Sequence, residues 1–106
     1  MAYTRDQILS DLKTLVLELK ERHDIRGAYL FGSYARNNPT QYSDVDVAIV
    51  IGTYRDGGQM DERFEIFHEV QQRNSLVEVV CLTEEEFTRG EISLVWHIKE
   101  AGISIL

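Results

Sequence analysis

A small α/β domain, with a mixed sheet and helices packed mainly on one of its faces, is the fold class predicted for this chain of 106 residues. Three observations predict it. Amphipathic stretches with apolar residues three and four apart alternate with short apolar runs of strand length, as when helices lie across a sheet. Gly32-Ser33 stands where the first such run ends and a short helical stretch begins. After ten intervening residues, Asp44 and Asp46 open the second run, which continues from Val47 to Ile51. The interval from Ser33 to Asp44 is too short for a long crossover helix, so the first two strands are expected to be antiparallel. A full helix precedes the third strand, which can therefore return parallel to the second.

Thr4 is expected to cap the first helix, with Gln7 in the capping-box position. Ile8, Leu12, Leu15, Val16 and Leu19 form its apolar face through about Lys20. His23 falls in a polar connector and is assigned no chemistry. Arg26 to Phe31 reads as the first strand, and the short helix runs from Ser33 to about Asn37, where Asn37-Asn38-Pro39 ends it. After the second strand, Gly52 and Gly57-Gly58 mark a connection. Met60, Phe64 and Phe67, flanked by Ile66 and Val70, define the apolar side of a helix reaching about Arg73. Asp61, Glu62, Arg63, Glu65 and Glu69 define its charged side, and His68 reads as a surface residue.

The third strand is Leu76 to Leu82, with Glu78 alone among apolar neighbours. A carboxylate in a buried strand needs a cation or a hydrogen-bond donor, so a structural salt bridge and a functional role both stay open. Thr83 begins the next helix with Glu86 as its capping-box partner, and Glu84-Glu85 favour the helix start. Gly90 interrupts it. Ile92, Val95 and Trp96 define a last helix ending near Gly102, with Trp96 read as packed. Ile103 to Leu106 reads either as a closing edge strand or as an apolar tail awaiting a partner.

Composition narrows the function classes. A hydrophobic content of 43% with 27% charged residues is that of an ordinary soluble domain. The formal net charge of −7 argues against a general nucleic-acid binder, which would cluster Lys and Arg. No apolar run is long enough to span a bilayer, and the first residues lack a signal-peptide pattern. With Cys81 as the single cysteine, placed in an apolar run, no intrachain disulfide is expected and the location is expected to be cytoplasmic.

The chemistry concentrates between Leu30 and Ile51. Side chains two apart on a strand share a face, so Asp44 and Asp46 are expected to project together, and two such anions call for a cation. Oxygen-only ligands suit Mg²⁺ or Mn²⁺. At Gly32-Ser33 the backbone can approach a ligand closely, and free amides at a helix start attract phosphate. A metal-bound polyphosphate fits both features.

Gly32-Ser33, ten intervening residues and Asp44-Val45-Asp46 resemble the signature of the polymerase-beta-like nucleotidyltransferase superfamily. The likeness is closest to the minimal nucleotidyltransferases, small proteins paired with a helical HEPN-domain partner. The matching residues are Gly32, Ser33, Ala35, Arg36, Ser43, Asp44 and Asp46. Asn37 departs from the glycine common after the arginine, though asparagine also tolerates the left-handed conformation. The resemblance implies one nucleotidyltransferase domain over residues 1–106. It implies Asp44, Asp46 and Glu78 as metal-holding catalytic carboxylates, with Glu78 where the family usually has aspartate. It places Gly32 and Ser33 on the phosphates of ATP. Arg36 stays open between a phosphate clamp and a surface ion pair, and Tyr34 and Tyr42 between base stacking and ordinary packing. The activity implied is AMP transfer from ATP to a tyrosine hydroxyl of a HEPN toxin, this chain being the antitoxin of a hetero-oligomeric pair. Two other readings stay open: a non-catalytic module that neutralises its partner by occlusion, and a transferase acting on a small hydroxylated molecule.

Overall fold

In the computed structural model, which describes residues 4–35, 44–54, 59–90 and 93–106, nine elements follow the predicted order. They are α1 (Arg5–Lys20), β1 (Ile25–Phe31), α2 (Gly32–Ala35), β2 (Val45–Ile51), α3 (Gln59–Arg73), β3 (Val77–Thr83), α4 (Glu84–Arg89), α5 (Ser93–Ala101) and β4 (Ile103–Ser104). The strands form one sheet in the order β3-β2-β1-β4. β1 runs antiparallel to both β2 and β4, and β2 runs parallel to β3. The chain end is thus an edge strand, closing the alternative of a free tail. Among the described residues, no helix is long and apolar enough to cross a membrane.

Local chemistry starts and stops the helices as expected. The Thr4 hydroxyl accepts from the Gln7 amide while the Gln7 side chain accepts from the Thr4 amide. Thr83 and Glu86 repeat this reciprocal box at α4, and Gly90 ends that helix with a left-handed φ of 64°.

Alternation along the strands sorts the core onto two faces. On one face, Val45, Val47, Ile49 and Ile51 of β2 join Val77 and Cys81 of β3 beneath Ile8, Leu12, Val16 and Leu19 of α1 and Ile66 and Val70 of α3. On the other, Ala48 and Leu82 pack with Val95 and Ile98 of α5, flanked by Tyr29, Phe31, Val80 and Phe87. The first layer is the larger. Among the described residues, the second covers only part of its face.

Three sequence expectations need correction. Phe64 and Phe67 are 67% and 45% exposed, whereas Glu62, read as charged surface, is buried together with Ile66 and Val70. The buried line of α3 runs 62-66-70, one residue every four, and it brings Glu62 to a polar partner. That partner is His23, also buried: its Nδ1 lies 2.5 Å from Glu62 Oε2 and its Nε2 3.1 Å from Glu69 Oε2. Arg22 donates to the other Glu69 oxygen at 2.9 Å. Hydrophobicity alone therefore placed α3 in the wrong rotation, because a buried His–Glu hydrogen bond is invisible to it. The third correction is Trp96, which is 57% exposed and touches only the edge of His97 among the ring contacts, while Val95 and Ile98 carry the packing.

Two expected outcomes follow from this core. His23→Leu deprives a buried carboxylate of its imidazole and should cost about 3–5 kcal/mol, read as a fall in the urea midpoint. Burial pushes the Cys81 thiol up to about 11 from its ordinary 9.0, Arg63 opposing and Glu62 reinforcing. Its folded value exceeds the unfolded one, so the protonated thiol favours the fold fully below pH 9 and that contribution is lost as pH rises toward 11. The stability of wild type relative to Cys81→Ala should therefore decline across that window in parallel urea titrations.

Candidate functional site

Strand register assembles the site. Phe31 of β1 lies opposite Asp46 of β2, and Asp46 lies opposite Glu78 of β3. Paired residues on neighbouring strands share a face, so Asp46 and Glu78 stand side by side on the face away from α1 and α3, about one interstrand spacing (~4.8 Å) apart. Asp44 immediately precedes β2 and is exposed. The adjoining Val45 amide donates to the Leu76 carbonyl at 2.9 Å, which pins the entry of β2 to the turn before β3. Glu78 is exposed rather than buried, since it faces away from the large core and sits on an edge strand. The cost of a buried carboxylate does not arise there, and no structural salt bridge for Glu78 is found among the described contacts.

Gly32 completes the row. It follows Phe31 directly and has φ 76°, the left-handed region where only glycine is unstrained. A Cβ built on it would collide with Asp46 Oδ2. The Asp46 carboxylate therefore packs against bare backbone at the strand-to-helix turn. The backbone of Ser33 lies within α2, but its side chain falls outside the described part, as do Arg36, Ser43, Asn37 and Tyr42. Tyr34 is 2% exposed in the large core, so ordinary packing rather than base stacking accounts for it. An Arg5 side chain donates to the Ala35 carbonyl at 3.3 Å and ties α2 to α1.

The donor set suits a hard divalent ion, since Asp44, Asp46 and Glu78 offer only carboxylate oxygens. As the side chains stand, however, no group of three or more His, Cys, Asp or Glu among the described residues is arranged to hold one. The strand register brings Asp46 and Glu78 together at neighbouring positions of β2 and β3.

On the opposite face of β3, against α3, lies an apolar groove of about 300 Å³, walled by Phe64 and Phe67 of α3 and by Val79 and Cys81 of β3 and lined also by Arg63. Arg63 is held by the Tyr54 hydroxyl at 3.1 Å and by Glu86 at 3.2 Å. Sequence reasoning placed both rings in the core and so missed the groove. The 62-66-70 ladder is the signal that would have found it.

Comparisons with known proteins identify the family and the fold. The sequence model of the family "Polymerase beta, Nucleotidyltransferase" matches residues 13–106. The chain belongs to that nucleotidyltransferase family. Two candidate protein adenylyltransferases of Methanocaldococcus jannaschii are similar to it, 42% identical over 45 residues and 32% identical over 44. The matches take in 39% and 42% of this chain and span 46% and 47% of the relatives, just under half of their length. Among solved structures, a candidate nucleotidyltransferase from Sulfolobus solfataricus superposes with a TM-score of 0.68 at 20% identity, covering 95% of this chain and 81% of the other. A toxin-antitoxin structure with AMP-PNP gives 0.62 at 18% identity, covering 89% and 72%. These likenesses establish a shared fold.

Gly32→Ala should strain the turn and displace Asp46. The expected stability loss is about 1–3 kcal/mol, measured by denaturant unfolding.

Proposed function

We propose that the chain transfers AMP from ATP to a tyrosine hydroxyl of a HEPN-family toxin and is the antitoxin of that pair. The observation that carries this reading is the Asp46–Glu78 register beside Gly32. The names of the M. jannaschii relatives support protein adenylylation, and the AMP-PNP complex of a toxin-antitoxin neighbour supports an adenine nucleotide and a toxin partner.

In this reading the acceptor oxygen attacks the α-phosphorus, the bond from that phosphorus to the β-bridging oxygen breaks, and pyrophosphate leaves. Asp44, Asp46 and Glu78 would hold Mg²⁺ or Mn²⁺, which would supply charge stabilisation at the attacking and leaving oxygens. Glu78, at the outer edge of the row, takes the hydroxyl proton as the new P–O bond forms. Gly32 and the Ser33 amide cradle the β- and γ-phosphates, and Arg36 clamps them. The product is a phosphodiester on the acceptor, which removes the hydroxyl and adds a negative charge.

Incubation with ATP, Mg²⁺ and the protein encoded beside this chain should add one AMP to that neighbour, read by mass spectrometry. Asp44→Asn with Asp46→Asn should abolish the addition; if that double variant still protects cells as wild type does, occlusion replaces catalysis. Glu78→Gln should lower the transfer rate by about 10²–10⁴-fold while ATP affinity, measured by calorimetry, changes little.

A further inference from the structure

We infer that the acceptor segment docks in extended form along the outer edge of β3, as an added strand, with apolar residues in the Phe64–Phe67 groove. This rests on the transferase reading above and names how its protein substrate is held.

The first reason is topological. β3 is an edge of the sheet, and among the described residues no strand lies outside it. The backbone groups of an edge that face away from the neighbouring strand are a template for another strand. The second is the groove. Phe64 and Phe67 stand beyond the α3 core line and, with Val79 and Cys81, wall the space next to that edge. Two large exposed aromatic rings beside a sheet edge mark a surface that a partner covers.

The third reason is continuity with the reaction centre. Side chains of an added strand alternate between faces. A residue placed opposite Glu78 rises on the Asp46–Glu78 face, about one interstrand spacing (~4.8 Å) from Glu78. Residues opposite Val79 and Cys81 fall on the other face, into the groove. One docking mode therefore anchors the segment and presents its hydroxyl to the site. It requires two apolar residues, at one and three positions from the acceptor on the same side.

Charge decides against a second copy as occupant. Asp44, Asp46 and Glu78 cluster at this end of the sheet, and each copy carries a formal charge of −7. Pairing two β3 edges would bring like charges together, whereas a neutral or basic segment is drawn in.

The test uses the full chain and the purified protein encoded beside it. Both rings are exposed, so Phe64→Ser with Phe67→Ser should leave the urea midpoint unchanged. The variant should raise the Kd for the neighbour, and the KM for it in AMP transfer, by about tenfold or more, with the KM for ATP unaltered. Peptides of the neighbour centred on its modified tyrosine should be substrates, and N-methylation at alternate amides should weaken them in one phase only. Unchanged Kd and KM in the double variant, or indifference to N-methylation in both phases, overturns the inference. If wild type binds the neighbour but moves no AMP, the transferase reading fails while the Kd of the variant still decides the docking. If wild type does not bind the neighbour, the docking inference falls.

Discussion

The parallel pairing of β2 with β3, in the register that sets Asp46 opposite Glu78, is the constraint on which the rest depends. Side chains alternate along a strand, so slipping β3 by one residue would turn Glu78 into the layer beneath α1 and α3 and lift Val77 or Val79 to the site. The slip is prevented by what lies underneath. Val45, Val47, Ile49 and Ile51 meet Val77 and Cys81 on the buried face, and Ile66 and Val70 of α3 close over them. Burying that many apolar side chains at roughly 1.5–3 kcal/mol each makes the correct register far cheaper than its neighbours. The carboxylates are thus positioned by hydrophobic packing on the face they do not occupy.

That division of labour runs through the molecule. One sheet face carries most of the stability; the opposite face is covered by Val95, Ile98 and Phe87 at one part and left to Asp46 and Glu78 at another. A left-handed glycine at the β1–α2 turn lets the Asp46 carboxylate lie against backbone, so the turn and the acidic row are one construction. The polar contacts that hold α3 serve the same end. His23, Glu62, Glu69 and Arg22 join the turn after α1 to α3, and α3 delivers the chain to β3 and therefore to Glu78. Membership of the nucleotidyltransferase family and the protein-adenylyltransferase relatives fit a scaffold of this kind, in which a few acidic groups are held on a rigid sheet.

Element order, both capping boxes and the strand directions were legible because each depends on short-range chemistry, whereas the pairing of Ile103–Ser104 with β1 needed the fold. A Thr-x-x-Gln or Thr-x-x-Glu box forms within one turn of helix, and a 12-residue interval can be judged too short for a crossover without knowing any neighbour. The Gly32 turn was legible for the same reason. What failed were statements about faces. Phe64, Phe67 and Trp96 were read as packed and are exposed, while Glu62, read as charged surface, and His23, read as part of a polar connector, are buried.

By itself, then, the order of residues determined the elements, their directions and which carboxylates flank which strand, since all of these follow from local conformational preference and chain length. Only the tertiary structure decided that Glu78 lies on an exposed edge, that Asp46 rests against Gly32, and that α3 turns its aromatic rings outward. The reason is physical: rotation of a helix and exposure of a strand are set by partners distant in the chain. A buried His–Glu contact can outweigh the hydrophobicity of two phenylalanines only once the fold has brought residues 23 and 62 together.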